Sequence, residues 1–223
     1  MPGRKELLVT GEYYHVFNKG IDQRSTFDDK SDYKRMVETL GFYRFMEPGI
    51  RLSRYFEYEE KMKNEYLENL ESEDLLVDVL VYELMPNHFH LIIRQLVDGG
   101  LSLYMSRAIN SYTRYFNVRH ERKGGLFTGN FKAVRIGSAE QMKHVSRYVH
   151  LNLYTAKIVN NFRALAGYEW SSLPEYLGKK DGLCNKEMIL GLFGDNVERY
   201  WKFIKDGSDY QRRLSEIKKL MLE

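Results

Sequence analysis

Cysteine is nearly absent from this chain: Cys184 stands alone among 223 residues. One cysteine excludes an intramolecular disulfide and any zinc site built on cysteines. Proline is scarce, with four in all, and Pro48-Gly49 and Pro86-Asn87 read as a helix stop and a turn. No apolar run of about 18 residues and no signal-peptide pattern is present, so the expected compartment is the cytosol and no membrane partner is expected. Charge of one sign is also lacking. Thirty-four basic and 31 acidic residues leave a net charge of +3 and a pI of about 8.7, which speaks against a polyanion-binding tail. Internal repeats and low-complexity tracts are missing too. What remains, 43% hydrophobic and 29% charged residues, is the composition of a soluble globular protein able to bury a substantial core.

With cysteine excluded, the histidines are the metal candidates. His88-Phe89-His90 lies inside the apolar stretch Leu80-Val81-Tyr82-Glu83-Leu84-Met85-Pro86-Asn87-His88-Phe89-His90-Leu91-Ile92-Ile93. Successive strand side chains point to opposite faces, so His88 and His90 share one face and Phe89 enters the other. Two imidazoles on one strand face can hold a divalent ion without backbone strain. No cysteine or acidic residue stands close in the motif to complete a zinc set.

Further on, Ser138 to Val159 has helical character, with Ser138 as N-cap and Gln141 three residues later, as in a capping box. Tyr148 and Asn152 are then i and i+4, stacked on one helix face. A phenol and an amide so placed can approach one ion together, the amide oxygen as a ligand and the phenol as a nucleophile beside it. Alone, each pair has an ordinary reading: strand histidines half in solvent, a buried tyrosine, a surface amide. The combination is what points to chemistry.

A coarse pass along the chain predicts a strand over 13–19, a polar turn over 20–29 and a helix over 31–46 with Tyr33, Val37, Leu40 and Phe45 inward. Strands over 75–84 and 88–96 pair antiparallel across Pro86-Asn87. A second core helix runs over 101–119, followed by a fourth strand over 132–136. Strand-helix-strand-strand-helix-strand is the α+β, ferredoxin-like split βαβ order, with the Tyr148 helix after it. The stretch from Tyr55 to Glu73 is highly charged, lacks a clear apolar stripe and reads as a solvated helical insertion at about 50–74. The main domain is expected to span 1–178. Residues 179–223 form a small helical extension, whose Trp201 and Phe203 are too apolar to leave undocked.

Met85-Pro86-Asn87-His88-Phe89-His90-Leu91 followed by Tyr148-Val149-His150-Leu151-Asn152 resembles the single-tyrosine HUH transposases, and within them most closely the REP-associated tyrosine transposases. Further pieces match in order: Tyr14-His15-Val16 with Gly20 and Arg24, Gly125-Leu126-Phe127 with Asn130-Phe131-Lys132, and Trp170-Ser171-Ser172. The resemblance covers about Glu12 to Gly178. Many relatives have a proline where this chain has Leu153 and an arginine where it has Thr155; both positions flank the site. The resemblance implies a bacterial, nucleoid-associated protein, a Mg²⁺ or Mn²⁺ ion held by His88, His90 and Asn152, and no nucleotide cofactor. It implies single-stranded or hairpin DNA as substrate, attacked by Tyr148 to leave a 5′-phosphotyrosine and a free 3′-hydroxyl. Holding a tyrosine ionised at neutral pH costs about 4 kcal/mol. Because the phosphotyrosine bond keeps its energy, the 3′-hydroxyl can displace Tyr148 again and strand transfer follows.

Basic residues interleaved with aromatics from Leu101 to Arg135 suit a single strand, whose bases stack on rings while its phosphates are neutralised. Arg107, Arg114, Arg119 and Lys132, with Arg24 in the early loop, are the expected DNA contacts. The aromatics of that region, Tyr104 and Tyr112 among them, fall at core spacing. A domesticated or non-cleaving repeat-DNA-binding protein is the alternative, and a histidine-metal hydrolase unrelated to DNA a third reading. Monomer and homodimer both stay open.

Overall fold

The computed structural model describes residues 7–71 and 74–208. Residues 1–6 of the expected main domain, Ser72 and Glu73 of the expected insertion and 209–223 of the expected extension lie outside those residues. In chain order the elements are β1 (Tyr13–Lys19), a single 3-10 turn (Ile21–Gln23), α1 (Lys30–Phe42), α2 (Leu52–Tyr55), α3 (Glu60–Glu71), β2 (Val77–Met85), β3 (His88–Gln95), α4 (Gly100–Arg119), β4 (Lys132–Ile136) and α5 (Ala139–Thr155). The short helices α6 (Phe162–Ala166), α7 (Leu173–Tyr176) and α8 (Glu187–Gly191) precede α9 (Val197–Asp206). No described helix is long and apolar enough to cross a membrane.

The four strands form one sheet in the order β2-β3-β1-β4, every neighbouring pair antiparallel. β1 and β2 therefore run in the same direction with β3 between them, which is the split βαβ arrangement expected from the sequence. Alternation decides the two faces. Tyr14 and Val16 of β1, Val79, Tyr82 and Leu84 of β2, and Phe89, Leu91 and Ile93 of β3 pack with α1 and α4 in one core. Val81 and Met85 of β2, Ile92 of β3 and Ile136 of β4 belong to a second core with Val149 and Leu153 of α5. Leu101, Tyr104, Met105, Ala108, Tyr112 and Phe116 of α4 are all buried, as their helical spacing required.

Three expectations need correction. α1 ends at Phe42, before Phe45 and well before Pro48-Gly49, because the chain there turns extended and pairs with the lead into β2. Met46 N–H donates to the Asp74 carbonyl and Leu76 N–H to that of Arg44, and Phe45 bridges Leu75. The charged insertion does carry an apolar stripe: Leu70 is buried, and Tyr55 and Tyr66 pack on Phe42. Tyr66 also donates its hydroxyl to the Pro48 carbonyl. Finally, α5 closes at Thr155 rather than Val159, and Lys157 then takes a positive φ of 59°.

The segment after α5 packs back onto it. Ile189 of α8 and Tyr200 and Ile204 of α9 are buried in the second core, while Trp201 meets Phe162 edge-on. Trp170-Ser171-Ser172 lies along the outer edge of β2. Leu84 N–H donates to the Trp170 carbonyl, and Ser172 N–H to that of Tyr82. These bonds cover an edge that would otherwise be open.

Candidate active site

β3 carries His88 and His90 on the face turned toward α5, and β1 brings a third imidazole to them. In the ladder Phe17 opposes His90 and Lys19 opposes His88, so His15 sits one diagonal step from His90 on the same face. His15 Nε2 lies 2.9 Å from His90 Nδ1. His88 Nδ1 lies 2.6 Å from Asn87 Oδ1. The Asn87 amide donates its NH₂ to the Gln23 carbonyl at 3.2 Å, which leaves its oxygen as acceptor and makes His88 Nδ1 the donor. His88 thus keeps a bare Nε2. With the shared proton on His90 Nδ1, His90 does the same.

Burial keeps these rings neutral. It pushes His15 down to about 4, lowers His88, and lowers His90 far below the usual imidazole range, with the nearby His15 and His88 adding to the effect. A neutral imidazole offers a lone pair, so the set can receive a cation at neutral pH.

Gly20 helps hold the turn that carries Asn87. Its N–H donates to the Asn87 carbonyl, while Thr26 and Phe27 N–H groups donate to that of Pro86. A Cβ on Gly20 would overlap the Arg24 carbonyl oxygen and the Thr26 methyl, so only glycine lets the 20–26 loop fold this closely.

α5 presents Tyr148 over the imidazoles. The Ser138 hydroxyl accepts the Gln141 N–H at 3.1 Å, capping the helix as expected. The Gln141 side chain reaches back to Gly137 N–H instead of that of Ser138. His150, fully buried, fixes the roll of the helix through Ser172 Oγ at 2.8 Å and the Tyr200 hydroxyl at 2.7 Å. Tyr148 then meets His90 and His15 edge-on, with ring centroids 5.7 and 5.9 Å away. Burial, then the charge of Glu83, holds its phenol above the ordinary tyrosine range. Asn152 follows one turn later, its buried amide nitrogen without a hydrogen-bond partner.

A cleft of about 440 Å³ opens on this site, lined by Phe17, Lys19, Gln23, Asn87, Thr128 and Lys132 beside His88 and His90. Of the expected DNA contacts only Lys132 lies here. Arg107, Arg114 and Arg119 line a different cleft, of about 820 Å³, together with Arg35, Arg51 and Tyr115. That cleft belongs to α1 and α4, on the opposite side of the sheet. The expectation of one basic path through all four residues is therefore corrected: helical phase turns the arginines of α4 away from the α5 face, while Lys132 is on a strand beside Phe17. Two of the arginines are also engaged locally, Arg107 with the Met46 carbonyl and Arg119 with Asp29 and Asp32. Arg24 stands in the 20–26 loop, 3.5 Å from Asp22.

Sequence reasoning missed three members of the site. His15 was visible as a histidine in an alternating strand, but its partner could not be read. Asn87 was seen only as a turn residue. Glu83, a lone acid in an apolar strand, lies directly opposite His90 in the β2–β3 ladder.

Elsewhere, Asp28, Asp32 and His120 are the one group of three or more His, Cys, Asp or Glu side chains, among the described residues, with ligand atoms all within 4.8 Å of one another. They could hold a metal ion. Asp32 already accepts from Asp28 N–H, Arg119 and the His120 ring.

Residues 53–152 match the model of a family described as IS200-like transposases. Over those residues the chain is similar to the IS200-like transposases. The matched segment contains His88, His90, Tyr148 and Asn152, and it includes the charged helix α3; β1 with His15 lies outside it. A solved structure of the REP-associated tyrosine transposase bound to a REP hairpin superposes with a TM-score of 0.52 at 12% identity, over 80% of this chain and 87% of that one. At that identity the likeness is one of fold, and it is the transposase fold. No curated protein matches the chain.

Proposed function

We propose that this transposase relative cleaves and rejoins single-stranded DNA at hairpin ends through a covalent bond to Tyr148. The observation that carries the reading is the edge-on packing of Tyr148 against His90 and His15, which puts a phenol beside an imidazole, that of His90, whose Nε2 is free to bind a cation. The family match supports DNA processing, and the hairpin held by the solved relative supports the substrate class.

His88, His90 and Asn152 would hold a divalent ion of the Mg²⁺ or Mn²⁺ type. When bound, such an ion draws charge from the non-bridging phosphate oxygens and fixes the phosphorus for in-line attack. Lys19 and Lys132 receive the strand in the cleft, where their charge offsets that of the phosphates. Tyr148 Oη forms the new bond to phosphorus and the bond from phosphorus to O3′ breaks. The proton lost by the phenol ends on the departing 3′ oxygen. The products are a 5′-phosphotyrosine and a 3′-hydroxyl, and attack by such a hydroxyl reverses the step. His15 and Asn87 orient the two imidazoles. His150 sets the helix that aims Tyr148.

Incubated with a single-stranded hairpin oligonucleotide and Mg²⁺ or Mn²⁺, the protein is expected to form a denaturation-resistant adduct that excess EDTA suppresses. Tyr148→Phe is expected to abolish the adduct and retain hairpin binding. An adduct formed by Tyr148→Phe would refute the reading.

A further inference from the structure

Glu83 is the group that neither the fold nor the proposed chemistry has used. It occupies β2 between Val81 and Met85, both of which pack into the apolar core beneath α5. Alternation would place another apolar residue there. Instead a carboxyl group is fully buried, and neither of its oxygens has a hydrogen-bond partner. Burial holds its pKa well above the usual carboxylate range, and the Leu153 N–H of α5 opposes that rise. Among the described residues no lysine or arginine makes an ion pair with it.

A carboxylate taken out of water without a partner costs several kcal/mol, and a cation repays that cost when it can be reached. Glu83 stands directly across the ladder from His90, a position whose side chains are in reach of one another. The charge of Glu83 is felt at Tyr148. The buried amide nitrogen of Asn152 is likewise without a partner. Glu83 thus brings a buried carboxyl group to the position across the ladder from His90. Two imidazoles and an amide bring no charge to a divalent ion. A carboxylate brings one, and it is the oxygen donor that Mg²⁺ and Mn²⁺ prefer.

We infer that Glu83 is a ligand of the divalent ion held by His88 and His90, making the set two imidazoles and a carboxylate with Asn152 beside it. The inference rests on the proposed metal-dependent site and adds to it the one anionic ligand. The ligand atoms of Glu83, His88 and His90 do not stand within 4.8 Å of one another as a group.

The test is Mn²⁺ binding to the full chain without DNA, followed by titration calorimetry and by the rise in melting temperature that the ion produces. The wild type is compared with Glu83→Gln, which keeps the shape and removes the charge, and with His90→Ala. Glu83→Gln is expected to bind Mn²⁺ roughly ten- to a hundredfold more weakly and to lose most of the ion-induced rise, while melting no lower than the wild type in EDTA. His90→Ala is expected to lose the site. If Glu83→Gln binds as tightly as the wild type while His90→Ala does not, Glu83 is no ligand and the histidine site stands. If wild type and His90→Ala bind alike, or neither binds, the metal reading falls and this inference with it. Should Glu83→Gln not fold, Glu83→Asp withdraws the carboxylate by one methylene, and wild-type affinity there overturns the inference.

Discussion

His15 on β1 reaches His90 on β3 with 2.9 Å between Nε2 and Nδ1, so one histidine of the β3 pair is oriented by a residue from another strand. The contact exists because β1 inserts between β3 and β4. With burial holding His15 down to about 4, it meets His90 as a neutral ring able to accept the Nδ1 proton. His15→Ala should lower adduct formation at saturating hairpin DNA by about ten- to a hundredfold, the usual cost of losing a group that orients a metal ligand. His15→Gln, which can still accept a hydrogen bond, should recover part of it. Hairpin affinity should change little in either variant. Single-turnover cleavage assays against Mn²⁺ concentration check this; an unchanged rate in His15→Ala would leave the contact without a catalytic part.

His150 makes the fold sensitive to acid. Burial pushes it down to about 3, whereas an unfolded histidine titrates near 6.5. Between those values the unfolded chain binds the extra proton, so the stability His150 contributes is fully present above about pH 6.5 and is lost as pH falls toward about 3. The slope is up to roughly 1.4 kcal/mol per pH unit. His150→Gln should be less stable at neutral pH by about 1–3 kcal/mol, from the impaired bonds to Ser172 and Tyr200. Its stability should then fall less steeply on acidification. Urea unfolding of both proteins across that window measures the difference, and parallel curves would show that another group is responsible.

The two basic clefts should separate in binding experiments. Replacing Arg107 and Arg114 together by alanine should weaken hairpin binding and reduce its salt dependence, about one counterion being lost for each phosphate contact removed. Adduct formation at saturating DNA should persist, since that cleft lies across the sheet from Tyr148. Lys132→Ala, inside the cleft that opens on His88 and His90, should instead weaken binding of short single strands that have no hairpin stem. Affinities measured over a salt series decide it; equal losses for both oligonucleotides in both variants would mean that DNA does not divide its contacts in this way.

Local patterns decided much of this protein from the sequence alone. The alternation of Tyr13 to Lys19, the spacing of Leu101 to Phe116 and the Ser138 cap each depend on neighbours a few residues apart. So do the shared face of His88 and His90 and the i, i+4 pairing of Tyr148 with Asn152. These features followed from backbone period and capping chemistry, before any packing was known. Tertiary structure decided the rest. Which side chains surround the histidines depends on strand order and register: His15 reaches His90 across 75 residues of chain, and Glu83 faces His90 through a β2–β3 register that includes a shift between Val79 and Val81. The arginines of α4 looked like one path with Lys132 because they are close in sequence. The sheet separates them, since a helix packed on one face and a side chain on the other cannot line the same cleft.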